Sequence, residues 1–264
     1  MSAPTYADDL TIPARFCGPP RSGNGGYTSG ALAARALEHH DPSAVEVTLR
    51  QPPPLDVAMS VQHVRANDSS NVSGSSATWL LLGGATIGEA RLVDADLEPV
   101  EAVDARAAEA AEVDFPGLRS HPFPTCFACG TDRAEGDGLR IFPGPVTGGR
   151  LAAVWTPAAG LAEQEPVTDL RDEPRRVGPG TAWAALDCIG GWAGDMEERM
   201  MVLGRMTALV DDLPAVGEPH VVVGRSLGQE GRKTFTASTI YDSDGRIVAR
   251  AEHVWIAVDP SAFN

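Results

Sequence analysis

The sequence shows neither a long apolar run nor, in its first residues, the pattern of a secretory signal. No stretch approaches the roughly 20 consecutive apolar residues that a membrane span requires. Residues 1–9 have neither the basic region nor the apolar region of a secretory signal. We therefore expect a cytoplasmic protein.

Basic residues are scarce, and Lys233 is the single lysine. The 264 residues include 21 Lys and Arg against 36 Asp and Glu, which gives a net charge of −15. Such a charge repels nucleic-acid phosphates and anionic lipid surfaces over most of the molecule. It argues against nucleic acid and membrane as partners, and an anionic ligand requires a local cluster of arginines.

Cysteine is also rare. Four cysteines in a chain of this length, without a leader, favour reduced thiols over a disulfide framework. Cys126 and Cys129 form a C-x-x-C pair, but a structural zinc ion needs four ligands, and His121 or Cys17 would have to complete the set from a distance. A redox pair normally opens a helix, which the residues after Cys129 do not resemble. We expect loop packing with no metal and no cofactor, and zinc and redox chemistry remain as alternatives.

What is present is the composition of a folded protein, with one order of elements repeated twice. Hydrophobic residues make up 43% of the chain and charged residues 22%. A glycine-rich turn at residues 22–30 leads into helix formers at residues 31–38, and a second such turn opens the apolar helix at residues 178–192. The alternation of apolar and polar residues predicts strands at residues 45–49, 59–64, 71–83, 85–93, 138–142, 151–155, 201–210, 220–226, 234–241 and 247–258.

This duplication predicts an α+β fold of two antiparallel sheets, each wrapping one central α-helix. The first repeat is assigned to residues 1–95 and the second to residues 138–264. Residues 96–137 differ in composition, because a segment rich in Ala, Glu and Asp precedes one rich in Cys, Pro and Gly. We interpret them as a linker with a surface helix, followed by a segment that could lie along the groove between the repeats.

Asp187 is the least expected charge in the chain. It stands among Leu186, Ile189 and Trp192 on the apolar helix of the second repeat. A partly buried carboxylate near a turn of free N–H groups can activate a water while the turn holds a carbonyl oxygen. The alternative is a structural Asp at a hydrated position. The matching position of the first repeat is Ala33, which predicts one active site per chain.

Two motifs resemble a known family. Gly-Asn-Gly-Gly-Tyr-Thr-Ser-Gly-Ala-Leu-Ala-Ala at residues 23–34, followed by Val-Glu-Val-Thr-Leu-Arg-Gln-Pro-Pro-Pro-Leu at residues 45–55, resembles the first half of tandem (double) hotdog-fold acyl-CoA thioesterases. The helix at residues 178–192 and the hairpin at residues 231–239 look like a second hotdog of that superfamily. The bias toward Arg, Ala, Gly and Pro resembles that of proteins from high-GC bacteria.

The resemblance implies a set of site residues. Asp187 matches the carboxylate that activates water, and Gly180 and Thr181 match the turn that holds the thioester oxygen. The Asn24-Gly25-Gly26-Tyr27 turn of the first repeat would contribute further oxygen donors. Turn chemistry alone is an alternative explanation of that glycine-rich segment.

The pattern departs from the family at two positions. Gly204 stands where the family has a hydroxyl residue, for which Thr181 or Thr207 are substitutes, and His253 stands where it has a glutamine. His253 is a candidate catalytic residue that would orient the water or hydrogen-bond Asp187, although a lone histidine on a strand is more often structural.

Arginines are the candidates for binding the phosphates of coenzyme A. Arg171, Arg175 and Arg176 precede the second glycine turn, and Arg232 and Lys233 lie at a hairpin tip. Exposed arginines beside acidic residues are also typical of an ordinary solvated surface.

The sequence therefore predicts hydrolysis of an acyl-CoA or another acyl thioester by water that Asp187 activates. A non-catalytic acyl-binding hotdog is the alternative. An acyl-CoA hydratase or dehydratase is disfavoured because Trp192, not a histidine, lies five residues after Asp187. One chain supplies both repeats, so a monomer suffices for a pocket, while an exposed sheet edge or face leaves a homodimer open.

Overall fold

The computed structural model describes residues 8–38, 40–41, 43–64, 76–162 and 174–263. The α-helices in these ranges are α1 (Gly25–Leu37), α2 (Ala105–Ala111) and α3 (Pro179–Ala193). The strands are β1 (Asp8–Thr11), β2 (Ala44–Leu49), β3 (Ala58–Val64), β4 (Ala77–Leu82), β5 (Ala85–Val93), β6 (Gly144–Val146), β7 (Arg150–Trp155), β8 (Met201–Val210), β9 (His220–Glu230), β10 (Lys233–Tyr241) and β11 (Ile247–Ala257). No helix of the described ranges has the length and apolar character to cross a membrane.

Most of the predicted strands are confirmed, and one is wrong. The prediction for residues 71–83 is confirmed at β4, and residues 71–75 lie outside the described ranges. Residues 138–142 do not form a strand, because Arg140 has a φ of 53°, which is incompatible with extended backbone. The short strand of this region is β6, a few residues later.

The two predicted sheets are one sheet in the structure. Its strand order is β1-β3-β4-β5-β2-β8-β11-β10-β9-β7-β6. The sheet is continuous because β2 and β8 pair antiparallel, with Val45 opposite Ala208 and Val47 opposite Met206. The order β1-β3-β4-β5-β2 on one side of this seam has the same pattern as β7-β9-β10-β11-β8 on the other. The division at residues 95 and 138 remains a prediction.

The two long helices pack against each other at small residues. A Cβ at Gly30 would lie 2.7 Å from the Pro179 carbonyl oxygen and 2.7 Å from Trp183 Cβ. A Cβ at Gly180 would lie 3.1 Å from the ring of Tyr27. Residues 180–192 of α3 are all buried. The two helices therefore share one core with the central strands, in which Leu32 and Leu186 are fully buried.

The later part of the connecting segment, with Phe115 and Phe127, belongs to that core, whereas Ala108 of the earlier part packs in a second hydrophobic cluster. The surface-helix prediction corresponds to α2, whose Ala108 and Ala111 are buried. Further along, the Phe127 N–H donates to the Cys17 carbonyl at 2.7 Å, and the Phe127 carbonyl accepts from Leu139 at 2.8 Å. The first bond ties the Cys-rich segment to the chain before α1, and the Asn24 amide nitrogen at the start of that helix lies 3.7 Å from the Cys126 sulfur.

Candidate active site

Asp187 is buried where the middle of α3 meets the start of α1. Only 2% of the residue is exposed. Its Oδ2 accepts hydrogen bonds from the Asn24 side-chain amide and from the Gly26 backbone N–H, both at 2.9 Å. Its Oδ1 is also buried and has no hydrogen-bond partner among the described residues. The carboxylate is thus held by one oxygen, and the other makes no hydrogen bond within the described residues.

Burial, with a smaller contribution from the neighbouring Cys126, raises the pKa of Asp187 to about 7. The hydrogen bonds from Gly26 and Asn24 oppose this rise because they stabilise the ionised form. A carboxylate with such a pKa is a stronger base than an exposed one and is still ionised in part near neutral pH.

Asn24 determines where α1 begins. Its side-chain oxygen accepts from the Tyr27 N–H at 2.8 Å, which caps the helix, while its side-chain nitrogen donates to Asp187. The helix therefore begins at Gly25, six residues before the run of helix formers at residues 31–38 that predicted it. The Gly25 N–H has no hydrogen-bond partner in the part of the chain that the structure describes.

A cavity of about 230 Å³ opens onto this group. Its walls include Asp187, Asn24 and Gly25 from the two helices. The other lining residues come from the loop after β2, the Cys-rich segment, β8 and β11, among them Arg50, Gln51, Phe123, Cys126, Leu203, Gly204 and Trp255. Most of the lining is apolar, which suits an acyl group or a similar apolar ligand.

Three thiols form part of the same wall. Cys126, Cys129 and Cys188 are buried, and their sulfur atoms all lie within 4.8 Å of one another. Hydrogen bonds from the Cys129 and Cys188 thiols lower the pKa of Cys126 well below its usual range. The Asn24 amide nitrogen lies 3.7 Å from the Cys126 sulfur. The thiol cluster and the carboxylate therefore share a donor.

A second cavity of about 330 Å³ lies at the matching place in the other repeat. It is lined by Ala33 on α1 and by Pro179 and Trp183 on α3. Ala33 lies seven residues after Gly26, as Asp187 lies seven after Gly180. The cavity that faces the start of α3 therefore has a methyl group where the other cavity has a carboxylate.

Part of the predicted oxygen-binding set is not in the cavity with Asp187. Gly180 and Thr181 lie at the start of α3, about two turns before Asp187, and Gly180 contacts Tyr27. The Tyr27 ring stacks on Phe16 with 3.8 Å between centroids and does not line the cavity. The structure thus brings Asn24, Gly25 and Gly26 to the carboxylate, and separates Tyr27, Gly180 and Thr181 from it.

His253 lies on β11 behind α3. Its Nδ1 is 3.2 Å from the Thr236 hydroxyl oxygen, and no hydrogen bond joins it to Asp187 within the described residues. Burial lowers the pKa of His253 to about 4, which keeps the imidazole neutral. Any catalytic role of His253 stays a prediction, and its observed contacts are those of a packed core residue.

The predicted phosphate-binding arginines do not line the cavity. Arg176 pairs with Asp212 at 2.8 Å, near the connection between β8 and β9, and Arg175 is exposed beside it. Arg171 lies outside the described ranges. Arg232 is bonded to the Ala257 carbonyl, and exposed Lys233 stands beside it at the start of β10.

Sequence reasoning missed Arg50 and Gln51, which do line the cavity. The Arg50 side chain is 54% exposed and lies 3.4 Å from Glu89. The signal for both residues was their position between the end of a strand and the Pro52–Pro54 turn. A polar pair at such a strand end lies at the rim of the sheet, where binding sites commonly form.

Solved structures with the same fold include several thioesterases. A tesB protein from Mycobacterium avium subs paratuberculosis matches this chain with a TM-score of 0.57 and 12% identity. The match covers 95% of this chain and 91% of that protein. An acyl-CoA thioesterase II (TesB2) from Mycobacterium marinum matches over 92% of each chain, with a TM-score of 0.52 and 14% identity.

A third similar structure is described by its fold. It is a conserved protein of unknown function with hot dog fold from Alicyclobacillus acidocaldarius, with a TM-score of 0.52 and 12% identity over 96% of this chain and 93% of that one. Neither the protein-family models nor the curated proteins contain a match to the sequence. The resemblance drawn from the sequence is therefore confirmed at the level of fold: the chain has the hotdog fold of TesB-type thioesterases along nearly its whole length.

Proposed function

We propose that the protein hydrolyses an acyl-CoA or a related acyl thioester, with Asp187 as the general base. The observation that carries this proposal is the unequal use of the two carboxylate oxygens. Oδ2 is fixed by Asn24 and Gly26, whereas buried Oδ1 has no partner among the described residues, beside a largely apolar cavity. A fixed carboxylate with one unused oxygen is the arrangement that positions a water for attack.

The start of α1 supplies the complementary charge. The first N–H groups of a helix have no partner within the helix and carry a partial positive charge. Gly26 donates to Asp187, which leaves the Gly25 N–H as the donor for the thioester oxygen. Negative charge develops on that oxygen during attack, so a donor aimed at it lowers the barrier.

The reaction then follows in two steps. Asp187 removes a proton from the bound water as the oxygen adds to the carbonyl carbon, and the oxyanion forms at the Gly25 N–H. The carbon–sulfur bond breaks as the intermediate collapses, and the proton held by Asp187 passes to the departing thiolate. The products are a carboxylic acid and free thiol.

Arg50 is the residue of the cavity wall that suits the phosphates of coenzyme A. Its guanidinium is more than half exposed, and its ion pair with Glu89 at 3.4 Å is a surface pair of the weak kind. A phosphate that approaches the opening can therefore replace Glu89 as the partner of Arg50 at little cost.

The test is turnover of acyl-CoAs of several chain lengths, with the released acid measured by chromatography and mass spectrometry. We expect Asp187→Asn to lower kcat by about 10²–10⁴-fold, the range for loss of a general base. Glu252→Gln is the matched control, since it makes the same kind of change at an exposed position of β11. Equal turnover by wild type and Asp187→Asn would show that Asp187 is not the base.

Binding without hydrolysis is the second candidate. Two observations favour a site that holds a thioester without activating it. Gly204 lines the cavity and has no hydroxyl, and the Gly26 N–H already donates to Asp187. In that case acyl-CoA raises the unfolding temperature of the wild type, and no acid is released by any variant.

A further inference from the structure

The three clustered thiols come from two separate parts of the chain. Cys126 and Cys129 lie in the connecting segment, and Cys188 lies on α3 next to Asp187. They are 3%, 2% and 6% exposed. The Cys126 and Cys188 sulfur atoms are 3.5 Å apart, and all three sulfur atoms lie within 4.8 Å of one another.

This spacing suits a tetrahedral ion. Metal–sulfur bonds of about 2.3 Å at tetrahedral angles place ligand sulfur atoms roughly 3.8 Å apart, well beyond the roughly 2 Å of a disulfide. Thiolate ligands in tetrahedral geometry are typical of zinc. Three converging thiols are also one more than a disulfide uses.

The backbone around the C-x-x-C pair is held in place by the chain itself. The Cys126 N–H donates to the Phe123 carbonyl and the Cys126 carbonyl accepts from Gly130, both at 2.9 Å. His121 accepts from the Phe123 N–H through Nδ1, so its Nε2 carries the proton and donates to the Cys129 carbonyl at 3.0 Å. Both nitrogens of His121 are therefore used, and His121 positions the loop without being a ligand.

The fourth cysteine of the chain is outside the cluster. The Cys17 thiol donates to the Thr125 carbonyl at 3.3 Å, and its sulfur accepts from Arg133 at 3.1 Å. Cys17 is buried like the other three cysteines but has a different set of partners. It therefore serves as a matched control.

We infer that Cys126, Cys129 and Cys188 bind one zinc ion, whose fourth coordination position opens into the cavity beside Asp187. All three cysteines line that cavity. A site with three protein ligands and an open position is of the kind that accepts water or substrate, whereas a structural site is closed by a fourth side chain. The ion and three thiolates together carry a charge of −1, and the Asn24 amide lies 3.7 Å and 3.9 Å from the Cys126 and Cys188 sulfur atoms as a donor to them.

This inference replaces the expectation of no metal, and it is independent of the proposed hydrolysis. The C-x-x-C pair supplies two ligands by itself, which is why zinc was only an alternative from the sequence. The third ligand lies 59 positions after Cys129 and becomes adjacent only when α3 packs on the connecting segment.

The test measures metal directly and needs no substrate. Wild-type protein is purified in a phosphine reductant, zinc is measured by elemental mass spectrometry, and the stripped protein is titrated with Zn²⁺ or Co²⁺ alone. We expect one ion per chain, and a Co²⁺ complex with sulfur-to-cobalt charge-transfer absorption and tetrahedral visible bands. Cys188→Ser loses most of the bound metal, while Cys17→Ser keeps it.

Three results would overturn the inference. The first is that the wild type binds no Co²⁺ under reducing conditions. The second is that Cys17→Ser loses as much metal as Cys188→Ser. The third is that peptide mapping of protein purified with the reductant finds a Cys126–Cys188 disulfide. The Co²⁺ spectrum of the wild type decides the question even if the serine variants fail to fold. Hydrolysis without metal binding contradicts the zinc site alone, and metal binding without hydrolysis contradicts the proposed function alone.

Discussion

Asp187 reaches the start of α1 because the facing residue has no side chain. A Cβ at Gly26 would lie 2.4 Å from Asp187 Cβ and 2.7 Å from the Trp183 carbonyl oxygen. With glycine there, the backbone N–H approaches the carboxylate directly and donates at 2.9 Å. The absence of a side chain at Gly26 thus lets the acid of one repeat reach the helix start of the other, while Ala33 places a methyl group at the corresponding position of the second cavity.

The burial of His253 makes the free energy of unfolding depend on pH. Burial lowers its pKa from 6.5 to about 4, so the unfolded chain binds this proton at a higher pH than the folded chain does. The contribution of His253 to the free energy of unfolding is therefore fully present above about pH 6.5 and is lost as the pH falls toward 4. We expect His253 to account for a loss of about 2 kcal/mol between pH 7 and pH 5.

The measurement is urea unfolding of wild type and His253→Gln at each pH. The stability advantage of the wild type over this variant should shrink as the pH falls, since glutamine does not titrate. His63→Gln is measured alongside as the same substitution at an exposed position. A wild-type advantage over His253→Gln that stays constant from pH 7 to pH 5 contradicts the buried neutral histidine.

At the scale of elements, the packing of α1 on α3 depends on Gly30. A Cβ there meets a backbone carbonyl and Trp183 Cβ, both at 2.7 Å, so one helix has to move. We expect Gly30→Ala to destabilise the fold by roughly 1–3 kcal/mol, the usual cost of overpacking, despite the better helix propensity of alanine. Chemical unfolding measures the change.

Ala31→Gly is the companion variant because it reverses the change at the next position of α1. It removes a methyl group and should cost about 1 kcal/mol or less through propensity. If Gly30→Ala instead stabilises the protein by the propensity gain, the two helices are less tightly packed than the structure describes.

The elements were predictable where a local signal exists. Glycine turns and alternating segments predicted both long helices and most strands, because capping and burial on one face are encoded within a few residues. The start of α1 was placed too late, since Asn24 acts through its cap and not through helix propensity. Residues 138–142 alternate like a strand, but the left-handed backbone at Arg140 breaks it.

The site was predictable only in part, because the residues that form it are far apart in the sequence. Asp187 was identified from its local context and Asn24 from the resemblance to hotdog thioesterases, yet their contact spans 163 positions. The meeting of Cys126 with Cys188 and the presence of Arg50 at the cavity also depend on tertiary packing. The pairing of β2 with β8 has no sequence signal, because alternation shows which face is buried and not which strand is the neighbour.

For the whole molecule, that pairing makes the two repeats one folding unit. Val47 on β2 stands opposite Met206 on β8, and both are fully buried in the core that also contains the two long helices. Because the sheet and core are continuous across the seam, we expect a single cooperative unfolding transition with equal calorimetric and van't Hoff enthalpies.

Met206→Ala, at the pairing of β2 with β8, tests whether the two repeats unfold together. Truncating a fully buried methionine should cost about 2–5 kcal/mol, and the loss should affect both repeats together because neither has a core of its own there. The calorimetric transition is then expected to move to lower temperature and to remain single. A transition that splits in two, with one part unshifted, would mean that the repeats unfold independently and that the continuous sheet contributes little to cooperativity.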